Sequence, residues 1–380
     1  MLNQKQEKKI RLDELCVQLI IITSALLLVL SAFWEIEVLK YCIYAIVVFA
    51  FLLILQMKFK LKQLIPLACF LVSSFAALFL YGGNMGSLIV TIASLFLAMF
   101  LFEKGINLPT WRLVKICTYV ISLSFIAQFI FAPQKTIYNQ LLLCFDNPNM
   151  TGIALSAPAM ILVVMLFEKQ KVSVKIIDTV ILAVLAYMIY QTQNRGSLLS
   201  LIVAIVAAFL ASFKKKPKRL TSPAAFALLK LTPIFVMLIY ILLFLILPED
   251  LELLGKPFFS GRELAWINAI KSIVTNPFVH HSFKDGTLNL FLEGAARYGV
   301  LAMIGYFWIL INCGKTKEEL KRMDKINYIA FVAFHCCLLQ QSFESTLLTG
   351  SYTVHIWSYL LLGIASMKST KPNEKENTAA

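Results

Sequence analysis

The sequence is poor in charged residues, which make up 15% of its 380 positions, whereas soluble domains have about 25%. Apolar residues make up 59%, and the mean hydropathy is +0.78. This composition argues against an ordinary soluble domain and is typical of a chain that lies mostly in lipid. The eight cysteines include no CxxC pair, and most sit inside apolar runs, which argues against a disulfide or metal role.

Motifs that bind nucleotides or metals are also missing. The sequence has no HExxH, Walker or dinucleotide-binding motif, and no DxD-like pair that would chelate a metal for a nucleotide sugar. No internal repeat is visible, and the link after the sixth apolar run spans only residues 168–175. A major-facilitator carrier usually joins its two halves by a long central cytoplasmic link, so the pattern counts against that class.

Apolar runs of about 20 residues, the length that crosses a bilayer as a helix, recur along the chain. They predict an all-α integral membrane protein, a single polytopic domain over residues 1–380, with about twelve transmembrane helices. The first run is longer than the apolar core of a cleaved signal and lacks a clear cleavage site, so we expect it to remain as a span. The predicted spans are 15–34, 39–57, 63–81, 86–102, 113–132, 150–167, 176–192, 197–213, 228–247, 288–311, 326–341 and 352–367.

The lysines and arginines predict the orientation of these spans. With the N-terminus inside, 27 of the 35 fall on inner segments and eight on outer ones. Because basic residues concentrate on cytoplasmic segments, both termini are predicted to be cytoplasmic. Residues 248–287 then form a long extracytoplasmic loop, and residues 368–380 a disordered cytoplasmic tail. The same distribution accounts for the net charge of +14 without a nucleic-acid partner.

Two short polar motifs lie where predicted spans meet the outer surface. The motif at 146–149, with Asn147 and Asn149, is typical of a turn that caps a helix, and its amides are also suited to face a polar ligand. Arg195 follows Asn194 and is the only charged residue between the seventh and eighth spans. The link is so short that Arg195 must lie near membrane depth, where a charge usually has a function; a lipid-facing anchor is the alternative.

The long outer loop contains a predicted amphipathic helix over residues 262–274. Ser260 and Glu263 match a capping box, with the serine at the N-cap and the acid three residues on. Arg262 falls in the first turn, where backbone N–H groups favour an anion, so a phosphate site is predicted there; a salt bridge to Glu263 or a loop acid is the alternative. The predicted interfacial stripe consists of the apolar residues at 264, 267, 270 and 273 or 274.

Two further polar groups follow this loop. Asn289, Glu293 and Arg297 are spaced four apart, so they share one helix face that we expect to line a cavity rather than contact lipid. Glu293 and Arg297 are also spaced for a favourable ion pair. The alternative is that this pair only stabilises the start of the helix and has no function. Glu344 is the only charged residue between the last two spans, and it is predicted to be either a solvated acid or a glycan contact.

Four pieces of the sequence resemble the O-antigen and capsule polymerase/ligase superfamily, the Wzy-type polysaccharide polymerases and their ligase relatives. They occur in order, on one predicted side of the membrane: FDNPNMTG (145–152), QNRGSLLSL (193–201), SGRELAWINAIKSIVTNPF (260–278) and LNLFLEGAARYGVLA (288–302).

The resemblance implies a reaction at the outer face of a bacterial cytoplasmic membrane. A glycan on undecaprenyl pyrophosphate is transferred to the non-reducing end of another lipid-linked repeat unit. The activated donor requires no cofactor, ATP or metal. The implied partners are the lipid-linked oligosaccharide, membrane lipid, and a chain-length regulator and flippase of the same pathway.

The resemblance also implies roles for particular residues. Arg195, Arg262 and Arg297 would bind the pyrophosphate; two arginines in an outward cavity suit a diphosphate on chemical grounds as well. The expected glycan contacts are Asn147, Asn149, Asn194, Asn289 and Glu344.

One position departs from the family pattern. Relatives often carry His-Asn where this chain has Leu288 and Asn289, and ligases in particular rely on that histidine. Its absence favours a polymerase over a ligase, and it leaves the general base open between Glu293, His281 (or His280) and Asp285. A ligase that moves glycan to a different acceptor and a non-enzymatic flippase or carrier are the alternative functions.

Overall fold

The chain folds almost entirely into α-helices. A computed structural model describes residues 11–31, 37–57, 59–81, 85–132, 136–137, 140–145, 147–213, 223–248, 251–253, 256–257, 262–275, 289–313, 315–343, 347 and 354–367. Helices suit apolar runs of this length because lipid offers the backbone no hydrogen-bond partners, and a helix satisfies its own backbone groups.

The helices, in chain order, are α1 (Leu12–Ser31), α2 (Glu37–Ile54), α3 (Leu61–Tyr81), α4 (Met85–Lys104), α5 (Leu108–Phe131), α6 (Pro148–Leu166), α7 (Val172–Thr192), α8 (Arg195–Phe213), α9 (Pro223–Lys230), α10 (Thr232–Ile246), α11 (Arg262–Thr275), α12 (Leu290–Tyr298), α13 (Val300–Asn312), α14 (Lys317–Arg322), α15 (Lys325–Gln340) and α16 (Val354–Ala365). Two antiparallel pairs of two-residue strands complete the described elements: β1 (Thr136–Ile137) with β2 (Gln140–Leu141), and β3 (Glu252–Leu253) with β4 (Lys256–Pro257).

Many of these helices have the length and apolarity of membrane spans. Within the described ranges, seven helices are long and apolar enough to cross a membrane, or eight if the bent pair α9 and α10 counts as one span. Four shorter apolar helices accompany them. The fold is therefore all-α and typical of a multi-pass membrane protein. Each predicted span overlaps a described helix or helix pair, but the number twelve stays a prediction.

Two predicted spans are broken, which the sequence pattern did not indicate. The predicted span 228–247 is α9 followed by α10, with a bend of 62° between them. Pro233 stands at the start of α10; it lacks an N–H and restricts the residue before it, so one continuous helix is disfavoured here. The predicted span 288–311 is α12 followed by α13, divided at Gly299, whose φ of 84° is accessible mainly to glycine.

The centre of the bundle is formed by helices that are buried on all sides. Every residue from Thr151 to Met165 in α6 is buried, and α4 and α16 are also buried over most of their length. Helices that are apolar all round are expected in such central positions. Around them, α3 and α13 approach so closely that a Cβ on Gly305 would lie 2.4 Å from the carbonyl oxygen of Pro66. Glycine is the residue that permits this backbone contact.

The helix α15 defines the two ends of the bundle. At its start, the Asn327 side chain donates a 2.6 Å hydrogen bond to the carbonyl of Met367, which follows α16. At its last residue, Gln340 donates a 2.6 Å hydrogen bond to the hydroxyl of Ser197 in the first turn of α8. We refer to these as the Arg11 end, because Arg11 and Met367 line the same cavity there, and the Arg195 end. Sixteen residues of helix separate them by about 24 Å.

Candidate functional site

The polar motifs at the Arg195 end meet at one turn, residues 340–343, which begins at the last residue of α15. The turn is closed by hydrogen bonds from Ser342 N to Leu339 O (3.1 Å) and from Phe343 N to Gln340 O (3.1 Å). The side chain of Gln340 and the carbonyls of Ser342 and Phe343 form hydrogen bonds with the starts of α8, α12 and α11, respectively. We call this segment the 340–343 turn.

The start of α8 packs directly on this turn. The Asn194 side chain caps α8 by accepting a hydrogen bond from Ser197 N at 2.9 Å, and Gln340 donates to the Ser197 hydroxyl. Gly196 faces Phe343: a Cβ at that position would lie 3.5 Å from the Phe343 side chain. The first turn of α8, which begins with Arg195, is thereby held next to Phe343. Because Asn194 already binds the N–H of Ser197, that N–H of the first turn is not open to an anion.

The start of α6 supports the start of α8. Asn147 caps α6 and accepts a hydrogen bond from Asn149 N at 2.8 Å. Asn194 donates from its side chain to the carbonyl of Asn149 at 3.0 Å. A Cβ on Gly152 would lie 2.7 Å from the Cβ of Asn194, so the two motifs are in tight contact. The contacts that the structure gives these three asparagines are those of helix caps and turns; whether they also bind glycan stays a prediction.

We expect Gly152→Ala to impair the protein much more than Gly196→Ala. The first substitution forces a methyl group to 2.7 Å from Asn194 Cβ, which must displace the cap of α8 and with it Arg195. The second places a methyl group at an ordinary 3.5 Å from Phe343. Overpacking of this kind costs about 1–3 kcal/mol. Thermal unfolding of the two purified variants measures the difference; equal melting temperatures would show that the Gly152 contact relaxes freely.

The predicted helix in the long loop is present as α11, and its first residue contacts the same turn. Arg262 donates from Nη1 to the carbonyl of Phe343 at 3.0 Å, across 81 positions of sequence. One turn later, the fully buried Trp266 packs its ring 5.5 Å from that of Tyr240 in α10 and 6.4 Å from that of Phe343. The aromatic cluster of these three residues fixes α11 against the bundle, so Arg262 is presented at Phe343. Ser260, the predicted cap, lies outside the described residues.

The face of α11 that packs on the protein differs from the predicted stripe. Its buried residues are Glu263, Trp266, Ala269 and Ile273. Leu264, assigned to the apolar stripe, is 57% exposed. Ile270 packs against the core as a half-buried residue. The face that packs on the protein is therefore shifted by about one residue from the predicted stripe. Trp266 lies at the centre of this face, because its indole buries more apolar area than a leucine.

The start of α12 binds the opposite side of the 340–343 turn. Asn289 caps α12 by accepting from the backbone N–H groups of Phe291 (3.0 Å) and Leu292 (3.2 Å). Its amide nitrogen donates to the carbonyls of Ser342 (2.9 Å) and Pro233 (3.0 Å). The residue is fully buried, so these four bonds make it a structural joint between α10, α12 and the turn. A fully buried amide with four protein partners is poorly placed to bind glycan, so the glycan contact predicted for Asn289 is disfavoured.

The predicted pair on α12 is formed. Arg297 donates from Nε to Glu293 Oε1 at 2.7 Å, with the arginine side chain 39% and the glutamate side chain 12% exposed. A half-exposed guanidinium beside a nearly buried carboxylate is consistent with the polar stripe predicted on this helix. The other predicted catalytic residues, His281 and Asp285, lie outside the described residues, as does Glu344. Glu293 is therefore the catalytic candidate for which the structure gives contacts.

The structure brings the starts of three helices that carry predicted motifs to one turn. Arg262 binds the carbonyl of Phe343 directly, and Gly196, the residue after Arg195, faces the Phe343 side chain. Arg297 lies two turns after Asn289, which binds Ser342. Whether Arg195 and Arg262 bind one diphosphate stays a prediction. Burial raises the pKa of the thiol of Cys144, on the approach to α6, to about 11, which disfavours the reactive thiolate form.

The sequence interpretation missed the residues that join the motifs. Gln340 and Phe343 belong to a segment noted only for Glu344, yet their contacts connect α6, α8 and α11. Part of this arrangement could have been predicted from the sequence. Gln340 and Gln341 end an apolar run, and two amides next to such a run are expected to have buried hydrogen-bond partners. Gln340 binds the hydroxyls of Ser156 and Ser197. No local pattern indicated that Phe343 would be the common contact.

A separate cavity of about 510 Å³ opens at the Arg11 end. Its lining includes Arg11, Asp13, Glu103 and Lys104. Asp13 is engaged by Arg11 in a 2.6 Å ion pair. The length of α15 separates this cavity from the arginines at the other end, so it is not part of the candidate site.

Comparison of the chain with family models, with curated proteins and with solved structures finds no match.

Proposed function

We propose that this protein polymerises undecaprenyl-pyrophosphate-linked oligosaccharide repeat units into a surface polysaccharide, as a metal-independent glycosyltransferase of the Wzy type. The observation that supports it most is the meeting of two arginine-bearing helix starts at Phe343. The sequence resemblance assigned these same two arginines to the pyrophosphate. They are 67 positions apart, and local sequence alone gives no reason for the helix starts that carry them to meet.

The proposed chemistry needs charge stabilisation and one proton transfer. An acceptor hydroxyl attacks the anomeric carbon of the donor glycan; a new C–O bond forms while the bond to the lipid pyrophosphate breaks. The leaving diphosphate gains negative charge, which Arg195 and Arg262 stabilise by bidentate hydrogen bonds. The hydroxyl proton passes to a base, for which Glu293, His281 and Asp285 are the candidates. Arg297 forms an ion pair with Glu293 and is the third candidate for the diphosphate.

The length of the cell's lipid-linked saccharides tests this function. In cells that lack the gene, a polymerase defect leaves single repeat units on the lipid, and restoring the intact gene restores a ladder of long products. A ligase defect would instead leave long lipid-linked polymer that is not attached to its acceptor. A carrier defect would leave repeat units on the cytoplasmic side. Either of these last two outcomes would reject the polymerase.

The proposed membrane arrangement has about twelve crossing segments, both termini in the cytoplasm, and residues 248–287 outside. The two broken helix pairs each count as one crossing, and α11 lies along the outer surface with its Leu264 side toward the interface. The support is the distribution of basic residues, together with the grouping of the starts of α6, α8 and α12 at one end. The Arg195 end is then the outer end.

We expect a cysteine at position 256 to react with a membrane-impermeant maleimide in intact cells. The variant Lys256→Cys is built in a background in which the eight native cysteines are replaced by serine or alanine. A cysteine at Lys317, in α14 at the opposite end, is the matched control and should react only after lysis. The reverse pattern would invert the orientation and place the arginines in the cytoplasm.

A further inference from the structure

A row of buried polar side chains lies in the apolar interior between α4, α12, α13 and α16. The reaction proposed above uses none of them. Polar groups in such an interior are costly unless they are hydrogen-bonded, and in membrane proteins they join helices or serve a function. The row consists of six side chains that are at most 5% exposed: Thr91, Ser94, Tyr298, Tyr306, His355 and Tyr359. We call it the polar row.

The polar row begins near the Arg195 end. The helix α4 ends in the cavity at the Arg11 end, so its start lies toward the opposite end of the bundle. Ser87, in the first turn of α4 and half-buried, forms a 3.4 Å hydrogen bond with the hydroxyl of Tyr298. That hydroxyl also forms a 3.2 Å hydrogen bond with Thr91. The first members of the row are therefore connected to a partly exposed residue near the Arg195 end.

His355, the second residue of α16, lies deeper in the bundle. Its Nε2 is 2.5 Å from the oxygen of Ser94, one turn of α4 beyond Thr91. Thr91 and Ser94 are three residues apart, so they face the same side of α4 with Cβ atoms about 5–6 Å apart. One bridging water or a rotated hydroxyl spans that gap. From Ser87 to Ser94 the row follows α4 for about 10 Å.

The contacts of His355 do not fix its tautomer. Its Nδ1 is buried without a hydrogen-bond partner in the described part of the chain. The hydroxyl of Ser94 is within reach of two acceptors, Nε2 of the ring and the carbonyl of Val90 at 2.7 Å, so it can donate to the ring or accept from it. In His335, by contrast, Nδ1 lies 2.7 Å from the carbonyl of Phe331, which only accepts, so that nitrogen carries the proton.

Two tyrosines next to His355 extend the row. Tyr359 lies one turn later in α16, with the two rings 6.2 Å apart, and its hydroxyl is 3.0 Å from that of Tyr306 in α13. Among the described residues, His355 takes part in no ion pair. The polar groups that surround the imidazole are therefore hydroxyls, contributed by α4, α13 and α16.

We propose that the polar row is a proton path between the Arg195 end and His355, and that His355 is a proton-binding site inside the bundle. A proton from water at the Arg195 end passes along the hydroxyls from Ser87 to Ser94, and each oxygen accepts one proton as it gives up another. Ser94 then donates to the lone pair of Nε2 in the tautomer with the proton on Nδ1, and an imidazolium forms. The reverse steps restore the neutral ring. This inference is independent of the polymerase.

Hydrogen–deuterium exchange of the imidazole N–H groups tests the path. The full-length protein, labelled with nitrogen-15 in its histidines, is reconstituted in phospholipid vesicles and transferred to deuterated buffer. Magic-angle-spinning NMR follows the loss of each imidazole N–H signal, and substitution of each histidine by glutamine assigns the signals. His335 is the internal reference, because it is buried and its ring is bonded to a backbone carbonyl outside the row. We expect the N–H of His355 to exchange faster than that of His335.

Tyr298→Phe and Thr91→Val each remove one hydroxyl from the row and preserve the shape of the side chain. We expect both to slow the exchange of His355 to the rate of His335. The matched control is Tyr328→Phe in α15, whose hydroxyl is buried outside the row and has no hydrogen-bond partner in the described ranges. It should leave the exchange unchanged. The sign of the effect separates a path from a joint, because hydroxyls that only hold helices together would, when removed, loosen the packing and speed the exchange.

Two results would overturn the proton path. One is equally slow exchange of His355 and His335 in the wild type. The other is exchange of His355 that stays the same or becomes faster in the variants that lack a hydroxyl of the row. Thr91→Val keeps the test valid if Tyr298→Phe does not fold. The result does not depend on whether the protein forms polymer, so this proposal and the proposed function fail separately.

Discussion

Replacing Arg195 or Arg262 by lysine is expected to shorten the polymer to one or a few repeat units while the protein still reaches the membrane. Lysine keeps the positive charge but loses the planar fork that binds two phosphate oxygens at once. Removing one preorganised donor to a developing charge costs about 3–4 kcal/mol, or about 10²–10³ in rate. The measurement is the length distribution of lipid-linked saccharides in cells that express each variant at wild-type level. Arg262→Lys should keep a donor for the carbonyl of Phe343, so its effect on stability should be small.

The control for this pair is Arg112→Lys, an exposed arginine in α5 near the Arg11 end. It should leave polymer length unchanged. Full polymer length in Arg195→Lys or Arg262→Lys would reduce that arginine to a membrane anchor or a structural contact. Loss of polymer together with loss of protein from the membrane would point to folding, which the thermal stability of the purified variant resolves.

Replacing Asn289 by aspartate is expected to destabilise the protein by about 2–5 kcal/mol at neutral pH. An aspartate still accepts the N–H groups of Phe291 and Leu292, but it has no amide to donate to the carbonyls of Ser342 and Pro233. A buried carbonyl that loses its donor, as at Ser342, costs about 1–3 kcal/mol, and the carbonyl of Pro233 keeps only its bond within α10. The new carboxylate is also fully buried against two carbonyl oxygens, and burying an unpaired charge costs further stability.

Asn147→Asp is the matched control for this variant. It changes an exposed cap that accepts one hydrogen bond, and aspartate caps helices as well as asparagine does, so no change is expected. If Asn289→Asp instead abolished polymerisation without any change in melting temperature, Asn289 would be a glycan contact and not a joint.

The helices themselves were predictable because their cause is local. An apolar run of about 20 residues must be helical in lipid whatever surrounds it, and the Asn-Pro pair at 147–148 marks a helix start by its own chemistry. The same holds for α11, whose amphipathic period and acid in the first turn are properties of one segment. The ion pair between Glu293 and Arg297 also follows from spacing alone, since residues four apart on a helix are neighbours.

The tertiary structure decided which of these local features meet, and the physical reason is distance along the chain. The contact of Arg262 with Phe343 spans 81 positions, and that of Gln340 with Ser197 spans 143, so no window of sequence contains both partners. The face of α11 that packs was set by the fit of Trp266 between Tyr240 and Phe343, and a periodicity count cannot weigh that fit. The sequence by itself determined the elements and the candidate residues; packing alone determined that Arg195, Arg262 and Asn289 are joined by one turn.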